Sequence, residues 1–152
     1  MDKTLADQVQ WLVDRAQISD LLFSFAQSLD TRDYRAYQHN YTEDGILELP
    51  DPSGGTITLT RDQLLEAVPR SLGRYNATHH LSANHQITVA GDSATSRSYL
   101  QAVHVSATPF DHWDAGGWYD CQYRRTASGW KFTRVSLTAV WLTGEPKGIR
   151  PE

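Results

Sequence analysis

A chain of 152 residues with 39% hydrophobic and 11% aromatic side chains has the size and composition of one folded domain, which excludes a disordered polypeptide. A formal net charge of −4, with the densest basic run confined to Arg124 and Arg125 followed by Lys131 and Arg134, excludes the clustered basic face that nucleic acid requires. The one cysteine, Cys121, excludes an intramolecular disulfide, and its neighbours Asp120 and Gln122 supply no group that would activate a thiolate.

The first residues, Met1-Asp2-Lys3-Thr4, carry neither the basic region nor the apolar run of a signal peptide. No stretch approaches the ~20 apolar residues of a membrane span, so a cytoplasmic location with no membrane partner is expected. Residues 4–29 read as a helix that Thr4 caps with Asp7, its apolar positions being Leu5, Val9, Leu12, Ala16, Leu21, Leu22, Phe25 and Leu29. Asp33 is placed to cap a second helix through Tyr34, Tyr37 and Tyr41, which Gly45 ends. A short strand over 46–49 closes at Pro50, and 51–55 is a loop by composition. A brief strand over 56–60 leads into a third helix, opened by a Thr60–Gln63 capping box and limited by Pro69 and Gly73.

From Thr78 the period changes to that of strands. A hairpin turns at Ala90-Gly91-Asp92, a loop is expected over 109–117 with Gly116 and Gly117 in turns, and a second hairpin turns at Ala127-Ser128-Gly129. Helices first and antiparallel strands after them make an α+β order, and a curved sheet wrapped on such helices leaves a cone-shaped cavity. One domain is expected over 1–142, with a tail over 143–152.

Asp30 continues the Leu22–Ala26 line of the first helix and lies at the edge of its buried stripe. A carboxylate there is partly desolvated and needs a partner to stay ionised; capping of the helix end is the structural alternative. His79 and His80 are neighbours on a strand, so one of the two faces inward. The odd row (Leu81, Ala83, Ile87, Val89) is apolar and argues for His79; the even row (His80, Ser82, Asn84, Gln86) is polar. A bulge near residues 82–84 would reconcile the two. His104 shares a face with Ala102 and Ser106, and Tyr119 with Cys121 and Tyr123. No metal motif, G-x-S-x-G elbow, P-loop or G-x-G-x-x-G fingerprint is present, and no metal site is expected.

The ordered segments Ser28-Leu29-Asp30-Thr31-Arg32-Asp33-Tyr34, Tyr41-Thr42-Glu43-Asp44-Gly45, Thr78-x-His80-x-x-x-Asn84, Gly91-Asp92-Ser93-Ala94-Thr95 and Gly129-Trp130-Lys131-Phe132 together resemble the SnoaL-like branch of the nuclear transport factor 2-like superfamily. The resemblance runs from about residue 7 to 141. Members similar in pattern include scytalone dehydratase, bile acid 7α-dehydratase and hexachlorocyclohexane dehydrochlorinase, which are cofactor-independent lyases with a His–Asp pair. It implies Asp30 as the paired aspartate, His80 as the histidine four residues before Asn84, a cone fold, no cofactor, and a dimer or trimer of this chain. The pattern departs at Leu29 and Leu49, where scytalone dehydratase has tyrosines, and at Ser106, where a second histidine would fall. His104 lies one step away on the same face, and Tyr119 and Arg134 are candidate replacements in substrate binding.

The reaction so implied is elimination of water or another small leaving group from a mostly apolar, cyclic or polyketide- or steroid-like substrate. His80 acts as base and Tyr119 or His104 steadies the developing oxyanion. An isomerase of the ketosteroid type would use the same base, and a ligand-binding cone without chemistry would separate Asp30 from His80. The small subunit of a ring-hydroxylating dioxygenase would instead travel with a larger iron-containing chain.

Overall fold

The computed structural model describes residues 4–106 and 112–144. The elements run α1 (Leu5–Asp30), α2 (Tyr34–His39), β1 (Tyr41–Pro50), β2 (Thr56–Thr60), α3 (Arg61–Leu72), β3 (Ala77–Ala90), β4 (Ser93–Val105), β5 (His112–Thr126) and β6 (Gly129–Gly144). Six strands form one curved, unclosed sheet in the order β2-β1-β6-β5-β4-β3. All pairings are antiparallel except β1 with β6. The helices pack on one face of this sheet, which is the α+β arrangement expected.

α1 begins with the capping box: Asp7 N–H donates to Thr4 Oγ1 at 3.2 Å, while Thr4 N–H donates to Asp7 Oδ2 at 2.9 Å. Its buried stripe is Asp14, Ile18, Leu21, Leu22, Phe25, Ala26, Ser28 and Leu29. The stripe read from the sequence was wrong over the first three turns. Leu5 is 76% exposed and Leu12 59%, because residues 5, 9, 12 and 16 lie on the helix side opposite Ile18. What α1 buries near that end is a charge. Asp14 is held bidentately by Arg125 at 2.7 and 2.8 Å and receives Trp130 Nε1–H at 3.2 Å.

Asp33 caps α2 by accepting from Ala36 N–H at 2.9 Å. α2 stops at His39, so Tyr41 opens β1 and Gly45 lies inside that strand, where a helix was expected to end. α3 runs through Pro69 to Leu72. β5 takes in Gly116 and Gly117 as strand residues instead of turns. A Cβ on Gly117 would sit 1.9 Å from the Thr138 carbonyl oxygen, and the Trp141 ring covers Gly116, so both glycines answer close approach, not chain reversal. Of the loop expected over 109–117, residues 109–111 lie outside the described residues. β6 continues through Gly144, two residues into the expected tail, and 145–152 lie outside the described residues.

The core joins Ile18, Leu22, Phe25 and Leu29 of α1 to Tyr37, Tyr41, Leu64, Val68, Leu100, Tyr119, Cys121, Phe132 and Val135. Cys121 is buried within it, and burial pushes its thiol up to about 12, consistent with a packing role. On the other face of the sheet Leu81, Tyr99, Val140 and Trp141 are exposed. Among the described residues no helix is long and apolar enough to cross a membrane.

Candidate active site

Asp30 is the last residue of α1, where the helix dipole disfavours a carboxylate and where the free backbone groups are acceptors. It therefore does not cap its own helix. Its oxygens accept from β3 instead: the His80 backbone N–H at 2.8 Å on Oδ2, with the Thr78 hydroxyl at 2.9 Å and His80 Nδ1 at 2.7 Å on Oδ1. Burial alone would raise the Asp30 carboxyl. The hydrogen bonds from the His80 ring, the His80 backbone and Thr78 outweigh it and leave the group below the ordinary carboxylate value. Asp30 is thus an ionised acceptor that orders the His80 ring with Nδ1 as donor, leaving Nε2 as the free nitrogen. The side chains are 7% exposed for His80 and 20% for Asp30.

The choice between His79 and His80 is resolved by a bulge. Pairing of β3 with β4 shifts register between Ala83 and Gln86, and Asn84 takes a left-handed φ of 54°. Before the bulge the even residues Thr78, His80 and Ser82 face inward and His79 is exposed; beyond it Ile87 and Val89 do. The interior row is thus the even one before Asn84 and the odd one beyond it.

His104 stands opposite Thr78 in the β3–β4 pairing, and its ring meets that of His80 edge-on at 5.4 Å. It stacks on Trp113 at 4.0 Å with 3° between planes, and Tyr75 lies 5.0 Å away. Trp113 Nε1–H donates to Tyr75 Oη at 2.5 Å, which fixes the wall. Burial, then the neighbouring His80, lower His104 to about 4, so it is a neutral ring at pH 7. Among the described residues its Nδ1 and the Ser106 hydroxyl are buried polar atoms without a hydrogen-bond partner. Tyr119 is buried, edge-on to Phe25 at 5.2 Å, and burial holds its hydroxyl well above the usual tyrosine range and therefore protonated.

Two further candidates stand on the β1–β6 side of the sheet. Leu49 is half-buried on β1 against the apolar core. Arg134 donates to Glu48 Oε2 across the β1–β6 pairing. Gln122 pairs with Arg134 but Tyr123 pairs with Phe132, so Thr133 is an extra residue in β6. That bulge removes Arg134 from the inward row of Trp130 and Phe132. Sequence reasoning missed Thr78, Tyr75 and Trp113. Thr78 was accessible from strand parity, two residues before His80, whereas Trp113 fell in a segment read as loop. Among the described residues no three His, Cys, Asp or Glu side chains come together as a metal site.

The model of the SnoaL-like domain matches residues 10–136. The chain belongs to the SnoaL-like family. Relatives of this SnoaL-like domain include Rv2910c of Mycobacterium tuberculosis, 26% identical over 122 residues, covering 80% of this chain and 82% of that protein. Among solved structures, the Kfla4162 protein of Kribbella flavida is 27% identical with a TM-score of 0.79, covering 86% of this chain and 93% of its own. A type 2 hexachlorocyclohexane dehydrochlorinase (LinA) is 18% identical with a TM-score of 0.78 over 95% and 97% of the two chains, a likeness of fold. Nuclear transport factor 2-like proteins of cystatin-like fold share the architecture.

Proposed function

We propose that this SnoaL-like domain is a lyase that eliminates water or another small leaving group from a mostly apolar cyclic substrate without a cofactor. The observation that carries the reading is the 2.7 Å hydrogen bond between His80 Nδ1 and an ionised Asp30. It supplies an imidazole of fixed tautomer whose Nε2 is a base. His80 Nε2 takes the proton from the carbon adjacent to the one bearing the leaving group, a carbon made acidic by a carbonyl or by that leaving group. The electron pair of that C–H bond becomes the new C=C bond as the leaving group departs. The imidazolium, stabilised by Asp30, then returns its proton to the departing oxygen, or to solvent when the leaving group is a halide.

The His104 Nδ1 and Ser106 hydroxyl, which have no partner among the described residues, are the groups suited to a substrate oxygen, and the Trp113–His104–Tyr75 wall suits a flat ring. Because His104 is neutral, it binds oxygen by hydrogen bonding without placing a second charge beside His80. The dehydrochlorinase likeness is consistent with elimination on this scaffold. General base catalysis of this kind is worth about 10²–10⁴-fold, and oriented hydrogen bonds to the oxyanion supply much of the rest.

The test is a panel of cyclic β-hydroxy ketones and chlorinated cyclohexanes, assayed by mass spectrometry for loss of water or hydrogen chloride. Wild-type turnover that disappears in His80→Ala and Asp30→Asn, with circular dichroism unchanged, is the expected result. Near-full activity in either variant refutes the pair as the base. Products of unchanged mass but shifted double bonds would make the reaction an isomerisation.

A further inference from the structure

Arg32 is one of two residues other than glycine with a left-handed backbone among the described residues, with φ of 62°. Glycine is the residue that adopts this conformation without strain, so an arginine here implies that its side chain is needed. The side chain is half-buried and its guanidinium forms no ion pair among the described residues; it reaches two neutral oxygens. Nη2–H donates to the Tyr75 carbonyl at 3.1 Å and Nη1–H to Thr78 Oγ1 at 3.4 Å.

Those two oxygens belong to the two halves of the site. The Thr78 hydroxyl donates to Asp30 Oδ1 at 2.9 Å, so a donor on its lone pair polarises it toward the carboxylate. Tyr75 is the wall residue whose hydroxyl takes the Trp113 indole and whose ring packs on His104. The strained turn at Arg32 follows directly on Asp30 and aims the guanidinium fork back at the segment entering β3. We infer that Arg32 is a positioning residue that fixes the Asp30–His80 pair and the aromatic wall relative to each other through Thr78 Oγ1 and the Tyr75 carbonyl. This rests on the reading of Asp30–His80 as the base.

The experiment needs no substrate. In ¹⁵N-labelled full-length protein the low-field Nδ1–H resonance of His80, assigned by its loss in His80→Gln, reports the hydrogen bond to Asp30. Arg32→Gly removes the fork and also relieves the backbone. The expected result is a melting temperature within about 3 °C of wild type, with exchange of the His80 Nδ1–H faster by about tenfold or more and a displaced Trp113 indole signal. Arg32→Lys keeps the charge but serves only one of the two oxygens, and is expected to speed the same exchange. A His80 signal unchanged in a folded Arg32→Gly protein overturns the inference. If Arg32→Gly does not fold, an unchanged signal in Arg32→Lys overturns it. A wild-type spectrum without a protected Nδ1–H refutes the pair itself, and this inference with it.

Discussion

Removing His104 should change how stability depends on pH more than it changes stability at neutrality. The folded ring sits at about 4, against an ordinary histidine value of 6.5. A depressed histidine is protonated in the unfolded chain before it is protonated in the folded one. Its contribution is present above pH 6.5 and is lost as pH falls toward the folded value near 4. With one pKa unit equal to 1.36 kcal/mol, acidification from pH 7.5 to pH 5 should cost about 2 kcal/mol through this residue alone. His85 is lowered too, by burial, and adds to the wild-type slope in the same direction. The comparison that isolates His104 is therefore wild type against His104→Phe, which keeps a ring on Trp113 and cannot titrate. Urea denaturation at pH 7.5 and at pH 5 gives four free energies. The loss on acidification should be smaller in the variant by about 2 kcal/mol. An equal loss in the two proteins would refute the argument that His104 is held neutral by its surroundings.

Arg125→Ala would leave Asp14 buried without its bidentate partner, and should destabilise the domain by about 3–5 kcal/mol in urea titrations at neutral pH. Gly117→Ala forces a methyl against the Thr138 carbonyl and should cost about 1–3 kcal/mol by the same measurement. Thr78→Val removes one donor from Asp30 while keeping its shape; turnover in the elimination assay should fall about tenfold, with melting temperature little changed. Association into a dimer or trimer, expected from the family resemblance, is tested by light scattering across a hundredfold dilution, where a constant monomer mass would dismiss it.

Much of the fold was legible because it rests on local chemistry. The Thr4–Asp7 and Thr60–Gln63 capping boxes, the Asp33 cap and the turns at Gly91 and Gly129 are short-range signals, and each stands where the residues put it. The half of the site that could be read from the chain came from a resemblance, since parity alone favoured His79. Extra residues decide the rest. The bulge at Asn84 keeps His80 inside, and the extra Thr133 turns Arg134 toward Glu48. An inserted residue shows in the chain only as a change of parity, which the rows around residues 82–84 betrayed and the segment around Thr133 did not. The misread start of α1 has a different cause. Leu5, Val9 and Leu12 are spaced as a core stripe, but at that end the sheet offers α1 Arg125 and Trp130, which take Asp14 instead.

The parallel pairing of β1 with β6 carries a consequence for how the molecule forms. β3 to β6 are a chain of hairpins whose contacts close early, whereas β1 joins the sheet only by way of β6. Phe132 N–H donates to the Asn40 carbonyl at 2.9 Å, and Thr42 bonds the Phe132 carbonyl across 90 positions of sequence. During synthesis the β1–β2 ribbon must therefore wait until β6, the last of the described strands, has emerged. Pairing across so long a stretch of chain is slow to form, and leaves an unattended β1 edge open to wrong partners while it waits.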